Sequence, residues 1–370
     1  MRVLMVSKAC VVGAYQRKLE ELARLPEMEL TVIVPPYWRD AAGELWLERQ
    51  HTAGYDLVVE PMRLNGNYHF HYYPGLGRQM QRLRPDLIHI DEEPYNLATA
   101  HTLWLARGSG VRSLFFSWQN IFRRYPLPFR WLEAYVLSHA DYGIAGNQES
   151  AAVWRAKGYQ GPMAVIPQFG VDPEIFCPAT HGPEGSRVFT FGYVGRLVEE
   201  KGIDLLLEAL AGLDGAWRAT LIGSGPSLAA LQDQAERLGL VDRVGFVGQV
   251  SSGRMPEVYC HLDTLVLPSR TRPNWKEQFG RALVEAMACG VPVVGSDSGE
   301  IPHVIGDAGL IFAEGSASSL RSCLARLMQE PELHAEMAQR GRERVIAHYT
   351  QAQIAARTYE VYRAMLGLKE

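Results

Sequence analysis

The feature that most constrains the fold is a regular alternation between short apolar runs, rich in β-branched residues, and longer amphipathic segments. In the first half of the chain the apolar runs occupy residues 3–6, 30–34, 56–59, 87–90, 113–117 and 142–145. Segments with helical spacing, such as 15–25 and 96–107, lie between them. This alternation predicts parallel strands connected by helices that cover both faces of a sheet.

The same alternation restarts in the second half, after a Pro- and Gly-rich stretch. Its candidate strands are 188–194, 219–222, 244–247, 264–267, 291–295 and 309–312, and long helices at about 316–347 and 351–366 close the chain. A chain of 370 residues exceeds one ordinary core. We therefore predict an α/β protein of two Rossmann-like domains, 1–170 and 188–350, whose ligand-binding strand ends face a cleft. A linker spans 171–187, and a final helix at 351–370 is expected to pack back on the first domain.

Composition indicates the cell compartment in which the protein works and the classes of partner that it is not expected to bind. The net charge of −4 predicts no affinity for nucleic acid. No apolar run reaches the ~20 residues that span a bilayer, and the first residues lack the long apolar region of a signal peptide. The five cysteines show no C-x-x-C spacing, which favours reduced thiols. These observations predict a cytoplasmic protein.

The most informative segment is KEQFGRALVEAMACGVPVVGSDSGEIP, at 276–302. It predicts a loop, a helix and a buried strand, with Glu277 in the loop and Glu285 in the helix. The amides of Phe279 and Gly280 are predicted to open this helix and to face an anion. The alternative interpretation is an ordinary amphipathic helix that carries two solvated glutamates.

Two further turns follow candidate strands. In FTFGYVGRLVEEKGIDLLLEAL, at 189–210, two glycines, Gly195 and Gly202, bracket Arg196 and Lys201, which places two cations beside a helix N-terminus. This combination suits a pyrophosphate. The alternative is a surface turn in which both cations pair with the glutamates at 199 and 200. The turn LIGSGPS, at 221–227, adds Gly223 at a neighbouring strand end, where a nucleoside fits.

Together these segments resemble the donor-binding domain of the family 4 glycosyltransferases, which are retaining enzymes with the two-domain GT-B fold. The matching motifs are G-R-L-x-x-x-K-G at 195–202, I-G-S-G-P at 222–226, and a glutamate pair spaced E-x7-E at 277–285, followed by A-M-A-C-G-V-P-V-V-G-S-D-x-G at 286–299. The match is ordered and extends over about 110 residues. It is far more specific than any one motif.

The resemblance implies roles for individual residues. Arg196 and Lys201 would hold the donor diphosphate, Glu277 would contact hydroxyls of the transferred sugar, and Glu285 would accept hydrogen bonds from the ribose. The stretch GFVGQVSSGRMPEVY resembles the part of the family that lines the base, which makes Val250 a neighbour of the base. The two cations and the helix amides would stabilise the leaving diphosphate. Because no D-x-D motif is present, we expect neither an essential metal nor a cofactor, and the nucleotide-sugar is a substrate.

The resemblance is weaker in the first half. The family usually has several glycines after the first strand, whereas SKACVVGAYQRK offers only Gly13, either as a phosphate neighbour or as a helix start. Gln119 stands where the family often has a histidine near the reacting centre. A glutamine can orient a hydroxyl or a sugar, but it cannot act as a base.

Two other segments are candidates for acceptor binding. In HIDEEPYN, at 89–96, the acids Asp91, Glu92 and Glu93 follow a strand and could bind or deprotonate an acceptor hydroxyl; the alternative is helix capping by Asp91 with solvated acids. In NYHFHYYPGLG, at 67–77, His69 and His71 alternate with aromatic residues. They could line a sugar-binding pocket, although such alternation is also typical of sheet core.

The segment IFRRYPLPFRWLEAY, at 121–135, mixes basic and aromatic residues. Such a surface can rest on a membrane, so the sequence leaves open a weak peripheral contact of the first domain with the inner face of the membrane.

The sequence thus predicts a metal-independent, retaining hexosyltransferase. It would use a UDP- or GDP-linked sugar and a saccharide or lipid-linked acceptor, in the synthesis of cell-surface polysaccharide or glycoconjugate. Two alternatives remain at this stage: a sugar-nucleotide-binding partner protein without catalysis, and a sugar-nucleotide epimerase of the same architecture.

Overall fold

The computed structural model describes residues 1–40, 43–178 and 188–368. The chain divides into two compact units, Met1–Gly170 with Gln351–Glu370, and Val171–Thr350. Each unit has its own parallel sheet with its own hydrophobic core.

The first unit is built on a seven-stranded sheet, and all six strands predicted for this half are confirmed. In the part of this unit that the structure describes, the strands are β1 (Arg2–Val6), β2 (Glu29–Val34), β3 (Tyr37–Asp40), β4 (Gly43–Trp46), β5 (Asp56–Val59), β6 (Leu87–Ile90), β7 (Arg112–Ser117), β8 (Tyr142–Ala145) and β9 (Met163–Val165). The sheet order is β5-β2-β1-β6-β7-β8-β9, with parallel pairing throughout. The sequence missed β9, which has only three residues, and the separate antiparallel hairpin β3–β4, which is largely exposed.

Helices connect these strands and cover the sheet. They are α1 (Arg17–Ala23), α2 (Leu76–Leu83), α3 (Leu97–Gly108), α4 (Phe129–His139) and α5 (Gln148–Ala156). One buried cluster contains Leu19 and Leu22 of α1, and another contains Leu76 and Leu103 of α2 and α3. The sheet is therefore buried on both faces, as the near-continuous apolar strands predict.

The second unit contains the six other predicted strands, which are also confirmed. They are β10 (Phe189–Val194), β11 (Trp217–Ile222), β12 (Val244–Val247), β13 (Thr264–Leu267), β14 (Val293–Ser296) and β15 (Leu310–Phe312). Their order is β12-β11-β10-β13-β14-β15, again parallel throughout. The helices are α6 (Ile203–Ala211), α7 (Leu228–Arg237), α8 (Met255–Tyr259), α9 (Arg281–Ala288), α10 (Ile301–Ile305), α11 (Ala317–Gln329) and α12 (Pro331–His348).

The prediction of one long helix at about 316–347 is wrong. The structure has two helices there, α11 and α12, separated at Glu330, whose φ of −113° and ψ of 84° are not helical. Pro331 is the first residue of α12. Proline lacks an N–H group and disfavours the helical conformation in the residue before it, so it begins a new helix instead of continuing the old one.

The last helix, α13 (Gln351–Leu366), belongs to the first unit and packs against α1. Inside that contact the Tyr362 hydroxyl lies 2.6 Å from Nδ1 of His89 on β6, and both side chains are buried. Burial, with a smaller contribution from Lys18, holds the pKa of His89 well below its usual range, so the imidazole is neutral. Of the predicted linker, 171–178 lies in the second unit, while 179–187 lies outside the described residues.

We expect Tyr362→Phe to lower the free energy of unfolding of the first unit by about 1–3 kcal/mol, because it leaves Nδ1 of His89 buried without its partner. Urea denaturation followed by circular dichroism measures this. Tyr68→Phe, which removes an exposed hydroxyl, is the matched control. Equal stability of the two variants would contradict the structural role of this hydrogen bond.

Candidate functional site

The order of the second sheet places two strands that are distant in sequence side by side. Strands β10 and β13 are neighbours, and the chain leaves β10 toward β11 on one side and β13 toward β14 on the other. This reversal is the position at which parallel α/β sheets bind ligands, outside the carboxyl ends of the strands. The glycine turn at 195–202 follows β10, and the loop that contains Glu277 follows β13.

An ion pair joins these two loops. The Lys201 Nζ lies 2.5 Å from the Glu277 Oε2, although the two residues are 76 positions apart. The same carboxylate oxygen accepts a hydrogen bond of 2.9 Å from the Ser269 hydroxyl. The Glu277 residue is only 8% exposed, so the interpretation of a solvated surface glutamate is wrong.

Two glycines allow the backbones around this ion pair to approach closely. A Cβ atom at Gly223 would overlap the carbonyl oxygen of Gly195, and one at Gly202 would overlap the carbonyl oxygen of Pro268. Gly202 precedes α6 and has a φ of +66°, a conformation that side chains disfavour. These contacts hold the turns after β10, β11 and β13 together.

The helix after the Glu277 loop begins one to two residues later than predicted. Gly280 is the N-cap of α9, with a φ of +75°, and the helix starts at Arg281. Phe279 and Gly280 therefore precede the helix instead of forming its first turn. The left-handed conformation of Gly280 turns the chain before the helical hydrogen bonds can begin.

Glu285 lies within α9 and is 7% exposed. Its Oε2 accepts a hydrogen bond of 2.8 Å from the Tyr259 hydroxyl, and its Oε1 lies 2.6 Å from Nε of Arg281. This glutamate is therefore not solvated either, and its carboxylate is held in one orientation by α8 and α9.

The remaining predicted donor residues differ in their surroundings. Arg196 is exposed, and its guanidinium makes no hydrogen bond or ion pair with any residue that the structure describes. Val250 is half-buried and packs against the core of the second unit. The alternative interpretation, in which both cations pair with the neighbouring glutamates, is wrong. Lys201 contacts Glu277, and Glu199 pairs with Arg272.

In the first unit the predicted acceptor-binding acids follow β6 and are largely withdrawn from solvent. Asp91 accepts a hydrogen bond of 2.6 Å from the Ser7 hydroxyl and one of 2.9 Å from the Gln168 amide. Asn96, not Asp91, is the N-cap residue of α3, so the capping alternative is wrong.

Glu92 is buried beside a lysine and a histidine. Its carboxylate forms an ion pair with Lys8, and Oε2 lies 3.4 Å from Nε2 of His71. Burial opposes ionisation, but the attraction of Lys8 and His71 outweighs it and lowers the pKa of Glu92 to about 2.

Glu93 is hydrogen-bonded, but it forms no ion pair within the described part of the chain. It accepts hydrogen bonds from the Ser117 hydroxyl (2.5 Å) and the Trp118 amide (2.8 Å). Burial, together with the nearby charge of Glu92, raises the pKa of Glu93 to about 7. Two adjacent glutamates therefore ionise in very different pH ranges.

Gln119 follows this cluster. Its backbone amide donates to the Ser117 hydroxyl, and its side-chain amide donates to the carbonyl oxygen of Ile121 at 3.0 Å. Gly13 begins a short 3-10 helix, and its N–H donates to the Glu48 carboxylate at 2.7 Å.

The two histidines at 67–77 lie outside the strands that the structure describes, so the interpretation of this segment as sheet core is wrong. His71 is fully buried beside Glu92. His69 is half-buried within an aromatic cluster, with its ring centroid 4.6 Å from that of Phe129 and 5.6 Å from that of Tyr95.

Sequence reasoning missed the residues that orient these glutamates. Lys8, Ser117 and Ser269 each lie at or just after the carboxyl end of a strand, which is the signal that could have identified them. Tyr259 offers no such signal, because its contact with Glu285 depends on the packing of α8 against α9.

The described ranges contain neither a cluster of side chains suited to a metal ion nor a helix that could cross a membrane. No group of three or more His, Cys, Asp or Glu side chains there has an arrangement suited to a metal ion. Within the same ranges, none of the helices combines the length and apolarity needed to cross a bilayer.

Comparison with known proteins identifies both halves of the chain. Residues 17–175 match the model of the Glycosyltransferase Family 4, and residues 182–344 match that of the Glycosyl transferases group 1. A D-inositol 3-phosphate glycosyltransferase of Corynebacterium urealyticum is 27% identical over 98% of this chain and 81% of its own length.

A second relative is a GDP-mannose-dependent alpha-(1-6)-phosphatidylinositol monomannoside mannosyltransferase of Mycobacterium tuberculosis, 32% identical over 46% of each chain. The matched segment covers 46% of the length of this relative. The segment matched in another relative covers 37% of that relative's length. Among solved structures, HepE of Anabaena in complex with UDP superimposes with a TM-score of 0.74 at 18% identity, over 98% of this chain and 100% of the other. This likeness shows the GT-B fold.

We expect Glu93→Gln to remove a pH dependence of stability. The native state keeps the Glu93 proton up to about pH 7, whereas the unfolded state loses it at about pH 4.3. Because the unfolded state ionises first, the free energy of unfolding falls as the pH rises through this interval. Relative to wild type, the variant should therefore gain on the order of 2–3 kcal/mol between pH 5 and pH 8 (about 1.4 kcal/mol per pKa unit).

Urea denaturation at both pH values measures this difference, with Glu29→Gln, at an exposed position, as the control. A gain for Glu93→Gln that does not change with pH would show that the native carboxyl ionises normally.

Proposed function

We propose that this chain, which belongs to the family 4 glycosyltransferases of the GT-B fold, transfers a hexose-type sugar with retention of anomeric configuration. The donor is a UDP- or GDP-linked sugar bound by the second unit, and the acceptor is a saccharide or a lipid-linked sugar bound by the first. The relatives named for GDP-mannose and for inositol phosphate, and the neighbour that holds UDP, support this choice of substrates.

The contact between Lys201 and Glu277 is the observation that carries the proposal. It joins the two donor motifs at the sheet position where α/β proteins bind ligands. An ammonium group has three N–H donors. Lys201 can therefore keep its hydrogen bond to Glu277 while it donates to a phosphate oxygen, so one contact links the diphosphate subsite to the sugar subsite.

The leaving group requires positive charge. When the bond between the anomeric carbon and the phosphate oxygen breaks, negative charge develops on the diphosphate, and Lys201 and the exposed Arg196 stabilise it. The two cations supply this stabilisation from the protein itself, and we propose that the reaction requires no metal.

The glutamates orient the donor. Glu277, held by Lys201 and Ser269, accepts hydrogen bonds from hydroxyls of the transferred sugar, and Glu285, held by Tyr259 and Arg281, accepts them from the ribose. Carboxylates whose oxygens are already oriented by the protein need little reorganisation when the donor binds.

Retention follows from the direction of attack. The acceptor hydroxyl attacks the anomeric carbon from the face that the diphosphate leaves and gives its proton to the departing phosphate oxygen, so the new bond has the configuration of the old one. Gln119 orients the acceptor or the sugar through its amide, since a glutamine has no basic group to take a proton.

The first unit also carries a surface suited to an anionic membrane. Residues 97–140 contain five arginines and one acid, Glu133, which is buried and paired with Lys157. The exposed side chains of Trp104 and Trp131 lie on α3 and α4, which pack against each other. We propose that this surface rests on the cytoplasmic face of a membrane and gives access to lipid-linked acceptors.

The donor site is tested with a panel of UDP-, GDP-, ADP- and dTDP-sugars in a thermal-shift assay. A ligand at 100 times its dissociation constant should add about 2.7 kcal/mol of stability to wild type. The variant Arg196→Ala/Lys201→Ala should lose this shift. Arg218→Ala/Arg237→Ala, which removes two other cations of the second unit, should keep it. A folded wild-type protein that no member of the panel stabilises would refute the proposed function.

Membrane binding is tested by co-sedimentation with vesicles of phosphatidylcholine, with and without phosphatidylserine. Each arginine near an anionic surface contributes about 1 kcal/mol. Arg124→Glu/Arg130→Glu should therefore weaken binding to phosphatidylserine vesicles by at least about thirtyfold, and Arg218→Glu in the second unit should leave it unchanged. Equal binding to both vesicle types would argue against an electrostatic contact.

A further inference from the structure

The segment between β13 and Glu277 forms a compact turn. The Arg272 N–H donates to the carbonyl oxygen of Trp275 at 2.7 Å, and the Trp275 N–H donates back to the carbonyl oxygen of Arg272 at 3.2 Å. Pro273 and Asn274 occupy the tip. Two reciprocal hydrogen bonds across four residues give this turn one defined conformation and fix the position at which Trp275 leaves it.

Contacts on one side tie this turn to the start of α6. Arg270 pairs with Asp204 at 2.8 Å, and its N–H donates to the carbonyl oxygen of Glu200 at 2.7 Å. Arg272 pairs with Glu199. The turn is therefore attached to the same segment that carries Lys201.

Contacts on the other side tie the turn to the loops after β14 and β15. The Thr271 N–H donates to the Glu314 carboxylate at 2.6 Å, and the Thr271 hydroxyl lies 2.9 Å from that of Ser298. Anchored on both sides, the turn cannot shift without breaking several polar contacts.

The anchored turn brings the indole ring of Trp275 to Lys201. The Lys201 Nζ lies 4.9 Å from the ring centroid, within the range of a cation–π interaction. The same ammonium lies 2.5 Å from the Glu277 carboxylate. The indole ring and the carboxylate thus both contact the ammonium.

The turn also changes the charge that a diphosphate would meet. Glu199, Asp204 and Glu277 lie near the start of α6 or beside Lys201, and each would repel a phosphate group if it were unpaired. Arg272, Arg270 and Lys201, respectively, neutralise them. Two of these three cations belong to the turn.

We propose that Trp275 is a positioning residue for the donor diphosphate, and that its indole face holds the Lys201 ammonium where the phosphate oxygens bind. This inference rests on the proposed function of Lys201. In this role Trp275 acts through the lysine, and no contact of its own with the phosphates is required.

The test compares Trp275→Leu, which removes the aromatic face, with Trp275→Phe, which keeps one. Calorimetric titration with UDP and with GDP gives the dissociation constants, using whichever binds wild type more tightly. We expect about a tenfold loss of affinity for Trp275→Leu and rescue to within about threefold by Trp275→Phe. Binding of the corresponding nucleoside, which lacks phosphates, should not change.

A double-mutant cycle with Lys201→Met separates positioning from general damage to the fold. If the indole ring acts through the lysine, Trp275→Leu costs no further affinity once Lys201 is methionine. Full additivity, or an equal loss for Trp275→Leu and Trp275→Phe, overturns the proposal.

The same data distinguish this proposal from the proposed function. If wild type binds the nucleotide, Lys201→Met does not, and Trp275→Leu binds it as wild type does, then only the proposed role of Trp275 is overturned. Failure of folded wild type to bind either nucleoside diphosphate overturns both.

Discussion

Parallel strand pairing is the constraint on which both units depend. Every neighbouring pair in the two main sheets is parallel, so all carboxyl ends of one sheet lie along one edge and all connections return to the other. Loops that are far apart in sequence therefore meet at that edge. In the second unit this brings the turn after β10 to the loop after β13, and the contact between Lys201 and Glu277 results.

The two units use this edge differently. In the second unit, glycines remove side chains where the turns after β10 and β11 meet, and Arg196 extends from one of these turns as an exposed cation. In the first unit the same edge is filled by polar side chains that bond to one another. Asp91, Glu92 and Glu93 each have protein partners that replace the water lost on burial. This arrangement suits the diphosphate site that we propose for the second unit, and it gives the first unit, where we propose that the acceptor binds, a polar network.

The sequence predicted the fold well because the strand signal is local. All twelve predicted strands are present. Each can be identified from the apolar residues of its own run, without information from the rest of the chain. The signal failed where a strand was short, as at β9, or largely exposed, as in the β3–β4 hairpin. It also failed at Glu330, where an amphipathic pattern continues across a proline that ends one helix and begins another.

The sequence by itself determined the positions of the strands, the division into two α/β halves, and the glutamate and cation motifs that identify the family. Only the tertiary structure decided which charges meet. Lys201 has glutamates one and two positions before it and nevertheless pairs with one 76 positions away, because the sheet order places β13 beside β10. Likewise, burial and partners decide that Glu92 ionises at low pH and its neighbour Glu93 only near pH 7. Ionisation depends on the surrounding charges and solvent, and adjacent positions in the sequence do not share them.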